Sequence, residues 1–286
     1  MRYRIIGIDL DGTLLGAEGQ LSEENHAAVR AAQGAGAIVV PCTGRGWVES
    51  KQILGCVPGL GLGVFVTGAV VFDIAAQRVA HLSPIDPSVA LEVIDHLRDL
   101  PEAVLVFCHA ERTGHDYLVT GNGRVSENTS WWFRLNDIAV HHQRHVNVGD
   151  LQHTLRIGCV APDGRVRPTM DRLRAAMGSR ICLHSFPAVQ MPGDGQELHV
   201  LEVFAPAVDK WAGLSWIAGQ TGIEAGQIAA IGDGINDLSM LAEAGCGIAM
   251  ANGIDEARSK ACYVTASNDD HGVAHAIEQL LSGAWV

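Results

Sequence analysis

The sequence predicts an α/β protein, a doubly wound parallel sheet into which an α+β domain is inserted. Three observations predict it. Short apolar, β-branched runs alternate with helical segments near both ends of the chain, as in "YRIIGID" (3–9), "AIVVPC" (37–42) and "IAAI" (228–231). Strands that are apolar throughout belong to parallel sheets covered on both faces. Several of these runs end in glycine and polar residues, the composition of ligand-binding strand ends in open parallel sheets. Between "SPIDPS" (83–88) and "FAPAVDK" (204–210) the rhythm changes to paired strands with fewer helices. At 286 residues the chain is long enough for two cores. The domains are therefore drawn as 1–83 and 205–286 for the split α/β unit and 84–204 for the insertion.

Taken in order, the first strand (3–9) leads into "DLDGT". A helix follows over 22–36, with Ser22 as N-cap and Gly34 or Gly36 near its end. The second strand is 37–42, the second helix 45–55 and the third strand "GVFVTG" (63–68), followed by a hairpin through "VVFD" and "RVAHL". In the insertion the pattern predicts helix 88–100, strands 103–109 and 117–119, an aromatic segment at Trp131 and Trp132, strand 154–160, helix 168–178, and strands near 180–184 and 198–204. The α/β alternation then resumes with helix 210–221, strand 228–231, helix 236–244, strand 246–250, a short helix from 255, strand 262–265 and helix 270–281.

Composition narrows the function classes. A net charge of −12 argues against nonspecific binding to nucleic acid or to an anionic membrane. The longest apolar stretch (59–72) is too short and too rich in glycine to span a bilayer. The seven cysteines include no CxxC pair, so neither a zinc site nor a disulfide framework is expected, and a reducing cytoplasm fits best. The chain reaches its first aspartate with no apolar leader segment, which supports the same expectation. The expected partner is a small molecule.

The polar residues at the strand ends carry the chemistry. Strand one ends in Asp9-Leu10-Asp11-Gly12-Thr13, strand two in Thr43-Gly44-Arg45, and the strand after Lys210 in Gly232-Asp233-Gly234-Ile235-Asn236-Asp237. Clustered carboxylates repel one another, and burying them is costly without a cation. An all-oxygen ligand set suits Mg²⁺. Thr43, the Gly44 amide and Lys210 are of the type that holds a tetrahedral phosphate. A carboxylate nucleophile forming an aspartyl-phosphate, with a second carboxyl as acid and base, is an established strategy. Three other features have structural readings. His141 and His145 in "HHQRH" read as a polar surface or substrate-facing loop. Trp131 and Trp132 read as packing in the insertion, with stacking on a sugar ring as the alternative. "GLGLG" (59–63) precedes a strand, so it is no dinucleotide fingerprint.

"DLDGT", "TGR", the lone Lys210 and "GDGIND" stand in the order found in the haloacid dehalogenase superfamily of phosphohydrolases, and the chain resembles its Cof-type subgroup with a large α+β cap. "GIAMANG" (247–253) and "VTASNDDHGVAHAI" (264–277) resemble that subgroup's ending. The resemblance implies an HAD-like Rossmannoid core and a Mg²⁺-dependent phosphomonoester hydrolase acting on a small phosphorylated metabolite such as a sugar phosphate. It also implies roles for the residues. Asp9 is the nucleophile and a metal ligand. Asp11 is the general acid/base and binds the ion through its backbone carbonyl. Asp233 is a further ligand, with Asp237 in a supporting or ligand role. Thr43, Gly44, Lys210 and Asn236 hold the phosphoryl group. Phosphomutases and phosphotransferases share this intermediate, and a phospho-aspartate sensor shares the residue types, although a sensor has no need of Asp11. The chain departs from the subgroup at Thr67, where asparagine is usual, at Trp211 after the lysine, and at His271.

Overall fold

The computed structural model describes residues 2–189 and 197–286, and the chain divides into two compact units, Met1–Leu82 with Asp209–Val286, and Ser83–Val208. The strands and helices in chain order begin with β1 (Ile5–Ile8), α1 (Glu23–Gly34), β2 (Ile38–Pro41), α2 (Trp47–Leu54), β3 (Leu62–Phe65), β4 (Val70–Asp73) and β5 (Arg78–Leu82). The second unit contributes α3 (Pro87–Leu97), β6 (Val104–Cys108), α4 (Ala110–Thr113), β7 (Tyr117–Thr120), α5 (Glu127–Leu135), β8 (Val140–His142), β9 (Thr154–Pro162), α6 (Asp163–Met177), β10 (Cys182–Pro187) and β11 (Leu198–Phe204). The first unit resumes with α7 (Lys210–Thr221), β12 (Ile228–Gly232), α8 (Leu238–Glu243), β13 (Cys246–Ala249), α9 (Asp255–Lys260), β14 (Tyr263–Val264) and α10 (Gly272–Ser282).

In the first unit a parallel sheet has the order β14-β13-β12-β1-β2, so β1 lies between β12 and β2. β1 is buried at all four positions because helices cover both faces. Leu214, Ile217 and Met240 from α7 and α8 form one cluster with Ile5, Val40 and Ala230. α1 and α10 pack against each other, and α1 also contacts β2. Ser22 caps α1, its hydroxyl accepting from the Asn25 amide at 3.2 Å. β3, β4 and β5 form an antiparallel sheet, joined to the parallel one through the Cys42–Val64 bridge.

The third strand ends earlier than its sequence suggests. β3 stops at Phe65, and Val66 and Thr67 turn away with φ of +50° and +55°. Both are β-branched and suit a strand by propensity, so local preference gives way here to the hydrogen bonds that hold the turn. Val66 N donates to Arg45 O at 2.9 Å, and Thr67 N donates to Thr43 O at 3.0 Å.

In the second unit the sheet order is β10-β11-β9-β6-β7-β8, antiparallel except for the β7–β8 pair. Three local readings change. Trp131 and Trp132 lie on α5, whose N-cap Ser126 accepts from the Thr129 amide at 3.0 Å. Their aromatic character disguised a helix, and Trp132 packs against Tyr117 and Phe133. His141 is on edge strand β8 and lies beside His115, ring centroids 5.2 Å apart. α6 begins at Asp163, so Pro168 is inside it. Proline at the first helical position is the common pattern, which made Pro168 look like the start.

Across this sheet Arg156 of β9 donates to Glu202 of β11 at 2.5 Å and to the Tyr117 hydroxyl, with its guanidinium over the Phe107 and Tyr117 rings. All seven cysteines are free thiols. Among the described residues no helix is long and apolar enough to cross a membrane.

Candidate active site

The parallel register brings the carboxyl ends of β1, β2 and β12 together, since Ile8 pairs with both Ile231 and Pro41. Asp9 follows β1 at once, and its amide donates to Ile231 O at 3.0 Å, so its direction is fixed by the sheet. The chain then turns through Gly12, whose φ is +75°. A side chain there would collide with the Asp233 carboxylate, so glycine both permits the turn and lets the two acidic loops meet. Thr13 donates to Asp233 Oδ1 at 3.0 Å, and Asn252 donates to Gly12 O at 2.8 Å.

Lys210 is the first residue of α7, beside the N-cap Asp209, whose carboxylate accepts from Ala212 N at 2.7 Å. A cation at a helix N-terminus opposes the helix dipole, so the position needs compensating charge. Two carboxylates supply it. Lys210 Nζ donates to Asp9 Oδ1 and to Asp237 Oδ1, each at 2.6 Å, and both Lys210 and Asp237 are fully buried. The other Asp237 oxygen accepts from the backbone amides of Asp233 and Gly234 at 3.0 and 2.9 Å. Asp237 thus anchors the loop that presents Asp233 and also orients the lysine.

Asp9, Asp233 and Asp237 each offer an oxygen within 4.8 Å of the others. Three carboxylates face one ammonium, a surplus of negative charge in a largely buried place. Burial, then the charges of Asp237 and Asp233, push the Asp9 carboxyl well above the usual range despite Lys210. Burial and Asp237 raise Asp233 as well. Burial works against the Lys210 charge, but the Asp237 and Asp9 carboxylates outweigh it and hold the ammonium above its ordinary pKa. An oxygen-rich cluster that resists ionisation fits a hard divalent cation such as Mg²⁺, whose charge offsets the repulsion.

Asp11 stands apart. Its side chain is exposed and pairs with Arg45, whose Nε donates to Oδ2 at 2.8 Å while an Nη donates to Oδ1. Sequence reasoning gave Arg45 no fixed role. The signal was its place in "TGR", with a second strand end parallel to that of Asp11. Thr43 is buried, and its hydroxyl accepts from the Arg45 amide at 3.1 Å, which shapes the loop. Asn236 lies across from Gly44, its Nδ2 3.6 Å from where a Gly44 Cβ would stand. The sequence gives Thr13 no role of its own and does not single out Asn252. "DLDGT" and "GIAMANG" contain them, yet only the fold shows that Thr13 reaches Asp233 and that Asn252 reaches the turn at Gly12.

A family model described as haloacid dehalogenase-like hydrolase matches residues 6–277. The chain is similar to the 5-amino-6-(5-phospho-D-ribitylamino)uracil phosphatase YwtE of Bacillus subtilis (strain 168), with 30% identity covering 99% of each chain. It is also similar to phosphatase YwpJ of the same organism, with 30% identity covering 97% of this chain and 100% of the relative. Among solved structures it resembles a haloacid dehalogenase-like hydrolase from B. subtilis, with a TM-score of 0.76, 25% identity, and coverage of 97% of this chain and 99% of the other.

Proposed function

The chain belongs to the haloacid dehalogenase-like hydrolase family and is a phosphatase, and we propose that it hydrolyses small sugar or polyol phosphate monoesters with Mg²⁺ through an aspartyl-phosphate. The observation that carries this reading is the buried Asp9–Lys210–Asp237 chain of hydrogen bonds beside Asp233, at the carboxyl ends of parallel strands. Full-length similarity to a phosphatase whose named substrate carries a phosphorylated ribityl chain supports the polyol class.

In this mechanism the Lys210 hydrogen bond fixes one Asp9 oxygen, so the other is aimed at phosphorus. An Asp9 O–P bond forms as the ester O–P bond breaks, and Asp11 gives its proton to the departing oxygen. Asp11 then takes a proton from water, which attacks phosphorus and returns the Asp9 carboxylate with orthophosphate. Asp11 leaves its pairing with Arg45 to act as the acid. Thr43, the Gly44 amide, Asn236 and Lys210 hold phosphoryl oxygens. Asp9 and Asp233 would hold Mg²⁺ with the Asp11 carbonyl, and Asp237 supports them. The ion supplies positive charge to the phosphoryl oxygens and offsets carboxylate repulsion.

The test is release of orthophosphate from p-nitrophenyl phosphate and from a panel of sugar and polyol phosphates, with and without Mg²⁺. The wild type turns over only with Mg²⁺, and Asp9→Asn abolishes turnover. Asp11→Asn loses ~10²–10⁴-fold in kcat while still binding the metal. Full activity in Asp9→Asn overturns the nucleophile assignment.

A further inference from the structure

The turn that carries Asp11 is held from outside. After β1 the backbone makes a wide turn in which Leu14 N donates to Asp9 O at 3.1 Å and Leu15 N donates to Leu10 O at 2.9 Å. Bonds between residues five apart occur mostly as single turns, frequently at functional sites. A single turn leaves most of its carbonyls without partners of its own. Asparagine side chains from elsewhere supply them. Asn252 Nδ2 donates to Gly12 O at 2.8 Å, Asn25 Nδ2 to Leu14 O at 3.0 Å, and Asn268 Nδ2 to Leu15 O at 2.9 Å.

The same side chains also reach away from the turn. Asn252 Oδ1 accepts from Asn268 N at 2.9 Å, and Asn25 Oδ1 accepts from Ala274 N, in the first turn of α10, at 3.0 Å. Just past the turn, Ala17 N donates to Asp269 Oδ1 at 2.9 Å. Asn252 and Asn268 stand 240 and 253 residues along the chain from the carbonyls they hold. The sense of each bond is fixed, because a carbonyl only accepts and a backbone N–H only donates. Asparagine, with one donor end and one acceptor end, is what Asn252 and Asn25 need to bridge two backbones. Asn25 and Asn268 are buried, whereas Asn252 is exposed. A hydrogen bond that water can replace adds little to stability. The bond from Asn252 to Gly12 therefore does more to place the turn than to hold the fold.

We propose that Asn252 and Asn268 are positioning residues for proton transfer to the leaving group. They clamp Gly12 and Leu15, and so set where the Asp11 carboxyl stands once it leaves Arg45. The inference rests on the proposed phosphatase reading for the reaction, while the clamp itself rests on the hydrogen bonds. Its loss matters in proportion to the leaving oxygen's need for a proton. An alkyl ester needs the acid to depart, whereas p-nitrophenolate leaves readily as the anion.

The test compares kcat/KM for p-nitrophenyl phosphate and for an alkyl phosphate such as glycerol phosphate, in the full-length protein with Mg²⁺, alongside hydrogen–deuterium exchange and thermal melting. Asn252→Ala lowers kcat/KM for the alkyl ester about 10–100-fold, the scale of a small misplacement of a catalytic group. For p-nitrophenyl phosphate the loss is far smaller, and Tm hardly moves. Asn268→Ala shifts the ratio of the two esters in the same direction, with a lower Tm because that side chain is buried. In Asn252→Ala the amides of residues 10–16 exchange faster while those of β12 do not. Unchanged exchange over 10–16 overturns the clamp. An equal loss for both esters, or none for either, overturns the positioning role and leaves the phosphatase reading standing. If the segment loosens but the wild type hydrolyses neither ester, the hold on the turn stands and the proposed reaction fails.

Discussion

Each of the two units buries a cation against carboxylates, but the charges balance in only one of them. In Ser83–Val208, Arg156 meets the Glu202 carboxylate, with the Tyr117 hydroxyl and two aromatic faces beside it. In the other unit Lys210 meets two carboxylates, Asp9 and Asp237, with Asp233 alongside. Among the described residues the first arrangement sets one cation against one carboxylate and ties β9, β11 and β7 together. The second leaves negative charge in excess, and Asp9 and Asp233 resist ionisation because of burial and their neighbours. A balanced buried pair can serve architecture alone, whereas an unbalanced cluster needs something positive from outside. That difference separates a structural ion pair from the proposed reaction centre more reliably than burial, since Glu202 and Lys210 are both buried.

Four experiments would break or sharpen the contrast. The largest effect belongs to Asp9→Asn, which ends turnover while the fold survives, because the amide keeps the shape and lessens the repulsion. Lys210→Met comes next, with kcat falling ~10²–10³-fold, the usual loss for a preorganised charge at a transition state. Without Mg²⁺ this variant also loses thermal stability, and added Mg²⁺ restores part of it, since the ion takes over the role of countercharge. Arg156→Met loses ~3–5 kcal/mol of stability by stranding Glu202 in a buried place. Adding Glu202→Leu recovers most of that loss, and p-nitrophenyl phosphate turnover persists wherever the variant stays folded. A folded Arg156→Met protein without turnover would place that pair in the reaction centre and end the distinction.

The smallest effect is a pH dependence. Asp9 and Asp233 have folded-state pKa values above their unfolded ones, so at these two groups the metal-free folded protein binds more protons than the unfolded chain. Their contribution to stability therefore falls as pH rises through and above the ordinary carboxylate range. Lys210 does not alter this sign, because it is protonated in both states across that range. Mg²⁺ competes with those protons, so the gain in Tm on adding Mg²⁺ is larger at about pH 7.5 than at about pH 5. An equal gain at both values, read by differential scanning fluorimetry, would show that the cluster ionises without difficulty.

Much of the α/β unit was legible in the sequence. β1, β2 and β12 are runs of apolar residues bounded by glycine and acid, and α1 announces itself through Ser22 and its apolar spacing. The insertion was harder. α5 was hidden because Trp131, Trp132 and Phe133 favour strands by propensity, while the capping by Ser126 and packing on Tyr117 make them helical. The turn at Val66 and Thr67 was hidden for a similar reason, since β-branched residues adopt positive φ only when neighbours force them.

By itself the sequence determined the strand-end chemistry: which residue types close each parallel strand, and in what order. That follows from local rules, because apolar runs make buried strands and glycine with acid ends them. Only the tertiary structure decided how those residues meet. It set Lys210 between Asp9 and Asp237, aimed Thr13 at Asp233, paired Arg45 with Asp11 and turned the Thr67 hydroxyl toward Gly44. These partners lie as far apart as 220 residues in the chain, as Thr13 and Asp233 do, and only sheet register brings them within hydrogen-bond range.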